Sequence, residues 1–299
     1  MLYNNLGKSD LKISEIGLGC MSLRGGYSLE HEKVIRGAMD LGVNYFDTAD
    51  FYDYGDNEVL LGKVLKNSQR ENIVLATKVG NRWLPDKSGW SWDVSASYIN
   101  QAVDNSLQRL NTDYIDLYQI HGGTIEDDFE EVVATLENLV QLGKIRAYGI
   151  SSIRPNVFER FALQSNIASN MMQFSLLDTR PIAYEKLFEE QQISVIARGV
   201  FAQGYLLTKE TEKYLNHTTA DVAYIKKIVD DISIKYDISK ECVALAYLLR
   251  HQTVSSAIIG VSKLEQLEAL RIASAELQAV EIDFVNYNLP ILSYQEHLS

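Results

Sequence analysis

Residues 43–78 of the chain read VNYFDTADFYDYGDNEVLLGKVLKNSQRENIVLATK. Short apolar runs occupy both ends of this stretch, at 43–47 and 72–78, and an amphipathic segment at 57–66 lies between them. Neither run shows the polar–apolar alternation of a strand with one exposed face, so both favour a parallel sheet that is buried on both faces. The stretch therefore predicts a strand–helix–strand unit with a right-handed crossover.

The same order of apolar run and amphipathic segment continues in both directions along the chain. Strands are predicted at 13–18, 43–47, 72–78, 114–121, 147–151, 170–174, 193–197 and 256–259, and helices at 29–41, 57–66, 94–110, 129–142, 155–163, 184–191 and 264–273. Eight alternating units favour a closed (β/α)8 TIM barrel over an open doubly wound sheet.

Two segments lie outside this order. Residues 1–12 predict a β-hairpin with its turn at 7–10, and residues 219–250 predict two additional helices before the last strand. No linker rich in Pro, Gly or Ser divides the chain. We therefore expect residues 1–299 to form a single barrel domain, the size that such barrels commonly have.

Composition limits the partners that we expect. The 299 residues carry 28 Lys and Arg against 40 Asp and Glu, a formal net charge of −12, which disfavours binding to nucleic acids or anionic membranes. The first ten residues do not resemble a secretory signal, and no apolar run is long enough to span a bilayer. Cys20 and Cys242 are the only cysteines, which favours a reducing compartment. We expect a cytoplasmic protein.

Ionisable residues end three successive predicted strands: Asp47, Lys78 and His121. Each taken alone has an ordinary explanation, as a loop cap, a solvated strand end or a buried structural histidine. The C-terminal ends of parallel barrel strands meet at one face, however, with neighbouring strands about 4.8 Å apart. We therefore expect the three side chains to converge on one site.

Tyr52 follows Asp47 by five residues, in a loop long enough to fold over the barrel mouth beside Lys78. A phenol ordinarily keeps its proton at neutral pH, but a nearby ammonium stabilises the phenolate and makes the proton easier to donate. Asp47 would keep Lys78 charged despite burial, and His121 would hydrogen-bond the reacting oxygen. Together these residues predict a tuned proton donor, as found in catalytic sites.

Motifs along nearly the whole chain resemble those of the aldo-keto reductase family. Residues 16–21 (IGLGCM) are similar to its first-strand signature, and residues 47–58 (DTADFYDYGDNE) are similar to its second-strand block. The resemblance implies a TIM barrel that reduces aldehydes or ketones to alcohols with a nicotinamide cofactor. It implies four catalytic residues, with Tyr52 as the general acid: Asp47, Tyr52, Lys78 and His121.

The same resemblance implies a cofactor site spread over the strand ends. Residues 149–152 (GISS) and Gln173 are similar to the segments that hold the nicotinamide carboxamide, and residues 196–204 (IARGVFAQG) to the loop along the pyrophosphate. Residues 259–263 (IGVSK) are similar to the adenosine-phosphate site. The implied cofactor-binding residues are Gly19, Cys20, Met21, Ser151, Ser152, Gln173, Arg198, Gly199, Val200, Phe201, Gln203, Gly204, Gly260, Ser262, Lys263 and Gln266.

The chain departs from the family pattern at several of these positions. Ser152 replaces the usual asparagine, and its hydroxyl can still bond an amide. Arg198 replaces the aromatic residue that commonly stacks on the nicotinamide, and a planar guanidinium can stack in the same way. Gly122 and Gly123 follow His121 where a bulky residue is frequent, which predicts a wider pocket.

The expected cofactor is NADPH rather than NADH. Ser262, Lys263 and the first amides of the helix predicted to begin near Leu264 offer a cation and donors to a 2′-phosphate. An NADH site would instead place an acid on the ribose hydroxyls, and Glu265 is the nearest candidate.

The expected substrate is a small carbonyl compound. Trp83, Trp90 and Trp92 crowd the loop after Lys78. They could simply pack the loop, or they could line the mouth for aromatic or apolar substrates, with Trp83 as the candidate substrate-binding residue. No metal site is predicted, and we expect a monomer or a weak homo-oligomer.

Two other functions stay open. Lys78 could act as a Schiff-base nucleophile, as in barrel aldolases, but that reaction requires a neutral amine, whereas Asp47 favours the ammonium. A cofactor-binding redox sensor or regulatory subunit with slow turnover is the non-enzymatic alternative. Borohydride trapping would identify the aldolase, and a very low turnover rate would favour the sensor.

Overall fold

The computed structural model describes residues 1–287 and 289–298. The strands, numbered in chain order, are β1 (Tyr3–Asn5), β2 (Lys12–Ser14), β3 (Ile16–Gly19), β4 (Tyr45–Asp47), β5 (Val74–Val79), β6 (Asn81–Trp83), β7 (Trp90–Trp92), β8 (Ile115–Ile120), β9 (Ile145–Ile150), β10 (Ser169–Gln173), β11 (Ser194–Arg198) and β12 (Val254–Gly260). Strands β3, β4, β5 and β8 to β12 form a closed parallel barrel in chain order, and β12 pairs with β3 to close it. The predicted (β/α)8 barrel is confirmed.

Helices pack against the outside of the barrel through their apolar faces. They are α1 (Leu29–Asp40), α2 (Asp56–Leu65), α3 (Ala96–Leu110), α4 (Phe129–Gln141), α5 (Pro155–Gln164), α6 (Glu185–Glu190), α7 (Thr219–Tyr236), α8 (Lys240–Leu249) and α9 (Leu264–Leu277). The hydroxyls of Ser28, Ser95 and Ser239 each accept a backbone N–H from the first helical turn, which satisfies donors that a helix start leaves unpaired. The two additional helices predicted within residues 219–250 are α7 and α8.

One predicted strand is divided in the structure. The apolar run at 13–18 contributes Ile13 to the hairpin strand β2, and only its second part to the barrel strand β3. Between these strands lies Glu15, whose buried carboxylate accepts hydrogen bonds from Leu2 N at 2.8 Å and Gln278 Nε2 at 2.9 Å. The hairpin therefore extends to Ser14 rather than ending at residue 12, because the chain turns at this anchored carboxylate.

The hairpin formed by β1 and β2 closes the N-terminal end of the barrel. Its buried side chains Leu6, Leu11 and Ile13 join the apolar cluster of the barrel interior. The other members of this cluster are Tyr45, Val74, Ala76, Leu117, Ala147, Ala168, Met171, Ile196 and Ile258. Apolar side chains thus fill the barrel from its N-terminal end, which leaves the C-terminal mouth as the place for polar groups.

A second hairpin, formed by β6 and β7, is not among the elements predicted from the sequence. It lies in the loop after β5 and pairs Trp83 with Trp90 in antiparallel register. Each of its strands has only three residues, which is too short for a reliable alternation of polar and apolar positions.

Among residues 1–287 and 289–298, no helix has both the length and the apolar character that crossing a membrane requires. The same residues contain no group of three His, Cys, Asp or Glu side chains arranged to hold a metal ion. Cys20 and Cys242 are buried free thiols.

Candidate active site

Three strand ends converge at the C-terminal mouth of the barrel. Asp47 is the last residue of β4, Lys78 lies in β5, and His121 directly follows β8. The Nζ atom of Lys78 donates hydrogen bonds to Asp47 Oδ2 at 2.5 Å and to the Tyr52 hydroxyl at 3.3 Å. The rings of Tyr52 and His121 meet edge to face, with their centroids 5.7 Å apart. The structure thus brings together all four side chains of the predicted catalytic set.

The Tyr52 side chain is placed by a short 3-10 turn, Tyr52–Gly55. Asp53 and Tyr54 within this turn have positive φ values of 51° and 57°, a conformation that side chains other than glycine rarely adopt. The Asp53 carboxylate stabilises the turn by accepting hydrogen bonds from the Gly25 and Gly26 amides at 2.7 and 3.2 Å. The turn is therefore tied to the loop between β3 and α1.

Buried hydrogen bonds hold the loop that follows β4. Lys78 Nζ donates to Thr48 O at 2.7 Å, and the Thr48 hydroxyl donates to Asn57 Oδ1 at 2.7 Å. Asn57 Nδ2 donates in turn to the carbonyls of Cys20 and Leu23 at 2.8 and 3.0 Å. This role of Asn57 is not predictable from the sequence, because asparagine is common near helix starts and gives no separate signal there.

Burial and pairing set the charges in the site. Burial disfavours the Lys78 ammonium, but Asp47 and Tyr52 outweigh this effect and raise the pKa of Lys78 above its usual 10.5. Lys78 is therefore a cation at neutral pH. Burial, with the positive charges of Lys78 and Arg198, lowers the pKa of His121 from 6.5 to about 3. The imidazole is therefore neutral, with one N–H donor and one acceptor.

A cavity of about 920 Å³ opens at this mouth. Asp47, Tyr52 and His121 line it, whereas Lys78 is buried, with 1% of its side chain exposed. Ten of the predicted cofactor-binding residues also line it: Gly19, Cys20, Met21, Ser151, Ser152, Gln173, Arg198, Gly199, Gln203 and Gly260. Three of the predicted catalytic residues and ten of the predicted cofactor-binding residues therefore line one cavity.

The other predicted cofactor-binding residues lie in two neighbouring segments. The segment after β11 contains three of them, Val200, Phe201 and Gly204. Ser262 and Lys263 directly precede α9, and the Lys263 side chain is exposed. Gln266 Oε1 accepts hydrogen bonds from the Ser262 and Lys263 amides at 2.9 and 3.2 Å. The Lys263 side chain is thus at the surface beside a helix N-terminus, where an anion is favoured.

Trp83, the predicted substrate-binding residue, lies behind a wall of the cavity. Its ring is stacked on that of Phe51 at 4.2 Å, and its Nε1 donates to Phe51 O at 2.9 Å. Phe51 itself lines the cavity. Trp92 Nε1 donates to Asp127 Oδ1 at 2.7 Å. Trp83 therefore supports Phe51, and its direct contact with a substrate stays a prediction.

Part of the cavity wall comes from residues that the sequence analysis did not single out. Residues 293–297 line one side, and Arg154 and Arg180 also reach the cavity. Leu292 N donates to Thr179 Oγ1 at 2.7 Å, which ties this late segment to the barrel. These residues lie outside the alternating strands and helices, so no periodic pattern could have indicated their position.

Comparison with known proteins agrees with this architecture. The model of the Aldo/keto reductase family matches residues 15–286. This chain belongs to the aldo/keto reductase family. The uncharacterized oxidoreductase YqkF of Bacillus subtilis (strain 168) is 46% identical, with 94% of this chain and 96% of YqkF covered. The NADH-specific methylglyoxal reductase of Escherichia coli (strain K12) is 28% identical, with 88% and 90% covered.

Solved structures lead to the same family. The holo form of aldo-keto reductase AKR11C1 from Bacillus halodurans has a TM-score of 0.87 and 41% identity, with 100% of both chains covered. The resemblance expected from the motifs is confirmed, and this aldo/keto reductase is an oxidoreductase of a family that uses nicotinamide cofactors. The matched range, residues 15–286, includes Asp47, Tyr52, Lys78 and His121.

Proposed function

We propose that this aldo/keto reductase reduces aldehydes or ketones to alcohols, with Tyr52 as the proton donor. The observation that carries the proposal is the position of Lys78, whose Nζ contacts both the Asp47 carboxylate and the Tyr52 hydroxyl. A carbonyl carbon that accepts a hydride leaves negative charge on its oxygen, and that oxygen needs a proton. Tyr52 lines the cavity in which this oxygen would lie.

Lys78 prepares Tyr52 to release its proton. As the proton leaves, negative charge develops on the phenol oxygen, 3.3 Å from the ammonium. Electrostatic stabilisation of a developing charge is strong where water is excluded. The side chains of Lys78 and Asp47 are 1% and 4% exposed, so Asp47 holds the ammonium in a fixed place and keeps it charged.

His121 is suited to orient the substrate oxygen. Its pKa of about 3 keeps the imidazole neutral, so it does not replace Tyr52 as the acid. Within the described part of the chain, His121 Nδ1 is buried without a hydrogen-bond partner. A neutral imidazole at the cavity wall can donate one hydrogen bond to a carbonyl oxygen and polarise it.

The residues of the cavity fit a nicotinamide cofactor, which supplies the hydride when bound. Four of the lining residues are glycines, Gly19, Gly122, Gly199 and Gly260, and a backbone without side chains allows close approach of a ligand. Gly199 also has a positive φ of 71°, which favours glycine there. Ser151 and Gln173 line the same cavity and offer the donors and acceptors that a carboxamide requires.

We propose NADPH as the preferred cofactor. The support is the exposed Lys263 at the start of α9, next to Ser262, because a 2′-phosphate requires a cation and hydrogen-bond donors. The family alone does not fix this choice, since the Escherichia coli relative is named NADH-specific.

The aldolase alternative is disfavoured by the same geometry. A Schiff base requires a neutral amine, whereas Asp47 Oδ2 lies 2.5 Å from Lys78 Nζ and favours its charged form. A redox sensor would use the same cofactor site and would differ in turnover rate. The carbonyl substrate, the single domain, the cytoplasmic location, the weak or absent self-association and the lack of nucleic-acid binding stay predictions.

Tyr52→Phe tests the proposal, because it removes the hydroxyl and keeps the ring that meets His121. Turnover of a panel of aldehydes, followed by cofactor absorbance, should fall about 10²- to 10⁴-fold, while cofactor affinity measured by calorimetry should change little. Tyr224→Phe makes the same chemical change at an exposed site on α7 and serves as the control. Normal turnover by the Tyr52→Phe protein would exclude Tyr52 as the proton donor.

A further inference from the structure

Among the residues that the structure describes, the guanidinium of Arg198 forms no ion pair. Arg198 ends β11 and lines the cavity, in register with Gln173 of β10. Arg180, which also lines the cavity, is held by two hydrogen bonds to Asp178 at 2.7 and 2.6 Å. Within residues 1–287 and 289–298, no comparable carboxylate pairs with Arg198. An arginine side chain stays cationic even when buried.

The two carboxylates that act on Arg198, Asp47 and Asp178, are already paired with other cations. Lys78 and Asp47 form one pair, and Arg180 and Asp178 form another. His121 is neutral, as its lowered pKa shows. Arg198 interacts electrostatically with Tyr52 and His121, and also with the carboxylates of Asp178 and Asp47. Since each of these carboxylates is bound to another cation, Arg198 leaves a net positive charge near the group that is proposed to donate the proton.

The proposed function brings a nicotinamide ring close to this charge. Hydride transfer requires the reacting atoms to approach to about 3 to 3.5 Å, and the carbonyl oxygen would be held by Tyr52 and His121. The ring must therefore bind in the part of the cavity where Arg198 acts on both residues. The oxidised nicotinamide ring carries a positive charge, whereas the reduced ring is neutral.

We propose that Arg198 makes this site discriminate between the oxidation states of its cofactor, binding the reduced form more tightly than the oxidised form. The inference rests on the proposed function. The two forms share the same phosphates and adenosine, so contacts at Lys263 contribute equally to both and cancel in the ratio of dissociation constants. Repulsion between two unit charges a few ångströms apart in a partly buried site favours the reduced form on the order of 10- to 100-fold. This preference would speed the exchange of spent cofactor for reduced cofactor.

Isothermal titration calorimetry with NADPH and with NADP⁺ tests the proposal without measuring turnover. The wild-type protein should show a ratio of dissociation constants, NADP⁺ over NADPH, of about 10 or more. Arg198→Met removes the charge and keeps a long side chain, and it should bring the ratio to within about threefold of one. Arg198→Lys keeps the charge and should largely preserve the ratio. Lys263→Ala is the matched control, since it should weaken both forms equally.

The outcomes separate this inference from the proposed function. A wild-type ratio near one, or an unchanged ratio in Arg198→Met, would overturn the role of Arg198, while binding of either form would still support a nicotinamide enzyme. Binding of neither form by the wild-type protein would overturn both proposals. Circular dichroism melting curves confirm folding of each variant, and Arg198→Gln replaces Arg198→Met if the latter does not fold.

Discussion

Replacing Asp47 by asparagine should destabilise the protein by about 3 to 5 kcal/mol, because it leaves the Lys78 ammonium buried without its counter-ion. The two side chains are 4% and 1% exposed, so water cannot take the place of the lost carboxylate. At the observed 2.5 Å, an effective dielectric constant of ~20 gives an attraction of about 6 to 7 kcal/mol. Desolvation of both charges offsets part of this attraction, which is why the expected loss is smaller.

Lys78→Met leaves the opposite charge buried and should cost a similar amount. The double variant Asp47→Asn/Lys78→Met removes both charges, so it should lose about 2 to 3 kcal/mol less than the sum of the single losses. Urea unfolding at pH 7, monitored by circular dichroism and checked for reversibility, gives the free energies of unfolding of the wild type and the three variants.

An exposed ion pair provides the control for this cycle. Arg271 and Glu268 are hydrogen-bonded at 2.6 Å with more than half of each side chain exposed, and the cycle Glu268→Gln/Arg271→Met should show little coupling. Additive losses at Asp47 and Lys78 to within about 0.5 kcal/mol, or an Asp47→Asn protein as stable as wild type, would refute the reasoning.

Two further predictions concern His121 and Lys263. His121 has a pKa of about 3 in the folded protein against 6.5 ordinarily, so between these pH values the unfolded chain binds a proton that the native protein does not, and stability falls as the pH falls. His121→Gln should make the pH dependence of stability shallower by up to about one proton. Urea unfolding midpoints of both proteins at pH 7, 5 and 4 measure this dependence. Equal pH dependence of the wild-type protein and the variant would argue against a neutral buried imidazole. Lys263→Ala should weaken NADPH about 5- to 30-fold and leave NADH almost unchanged. Calorimetry with both cofactors measures this difference, and equal losses, or wild-type protein that binds NADH as tightly as NADPH, would show that Lys263 does not recognise the phosphate.

The barrel could be predicted because its strands are buried on both faces. All six residues of β5 are buried, so the chain there is mostly apolar and lacks the polar stripe of the helices around the barrel. The same reasoning placed Asp47, Lys78 and His121 together, since parallel strand ends must meet at one mouth. The prediction of one barrel strand at residues 13–18 was wrong, because Ile13 is buried in the hairpin that closes the barrel rather than in a barrel strand.

The walls of the cavity could not be predicted in the same way. Residues 293–297 reach the mouth through tertiary contacts, such as Leu292 N to Thr179 Oγ1, and such contacts leave no local pattern. The sequence identified Arg198 as a cofactor-binding candidate but gave no sign that it forms no ion pair within residues 1–287 and 289–298. Asp178 is hydrogen-bonded to Arg180 instead of Arg198, and this pairing is set by the tertiary structure.

The hydrogen bonds of Asp53 connect a surface loop to the turn that contains Tyr52. Gly25 and Gly26 have positive φ values of 83° and 69°, and among the described residues nothing lies within 4 Å of a Cβ at either position. Their amides are nevertheless held by the carboxylate next to Tyr52. Because Asp53 directly follows Tyr52 in the same turn, a displacement of this surface loop would pull on the turn that places the Tyr52 side chain. A change in this loop would therefore reach the cavity while the four predicted catalytic side chains stay unaltered.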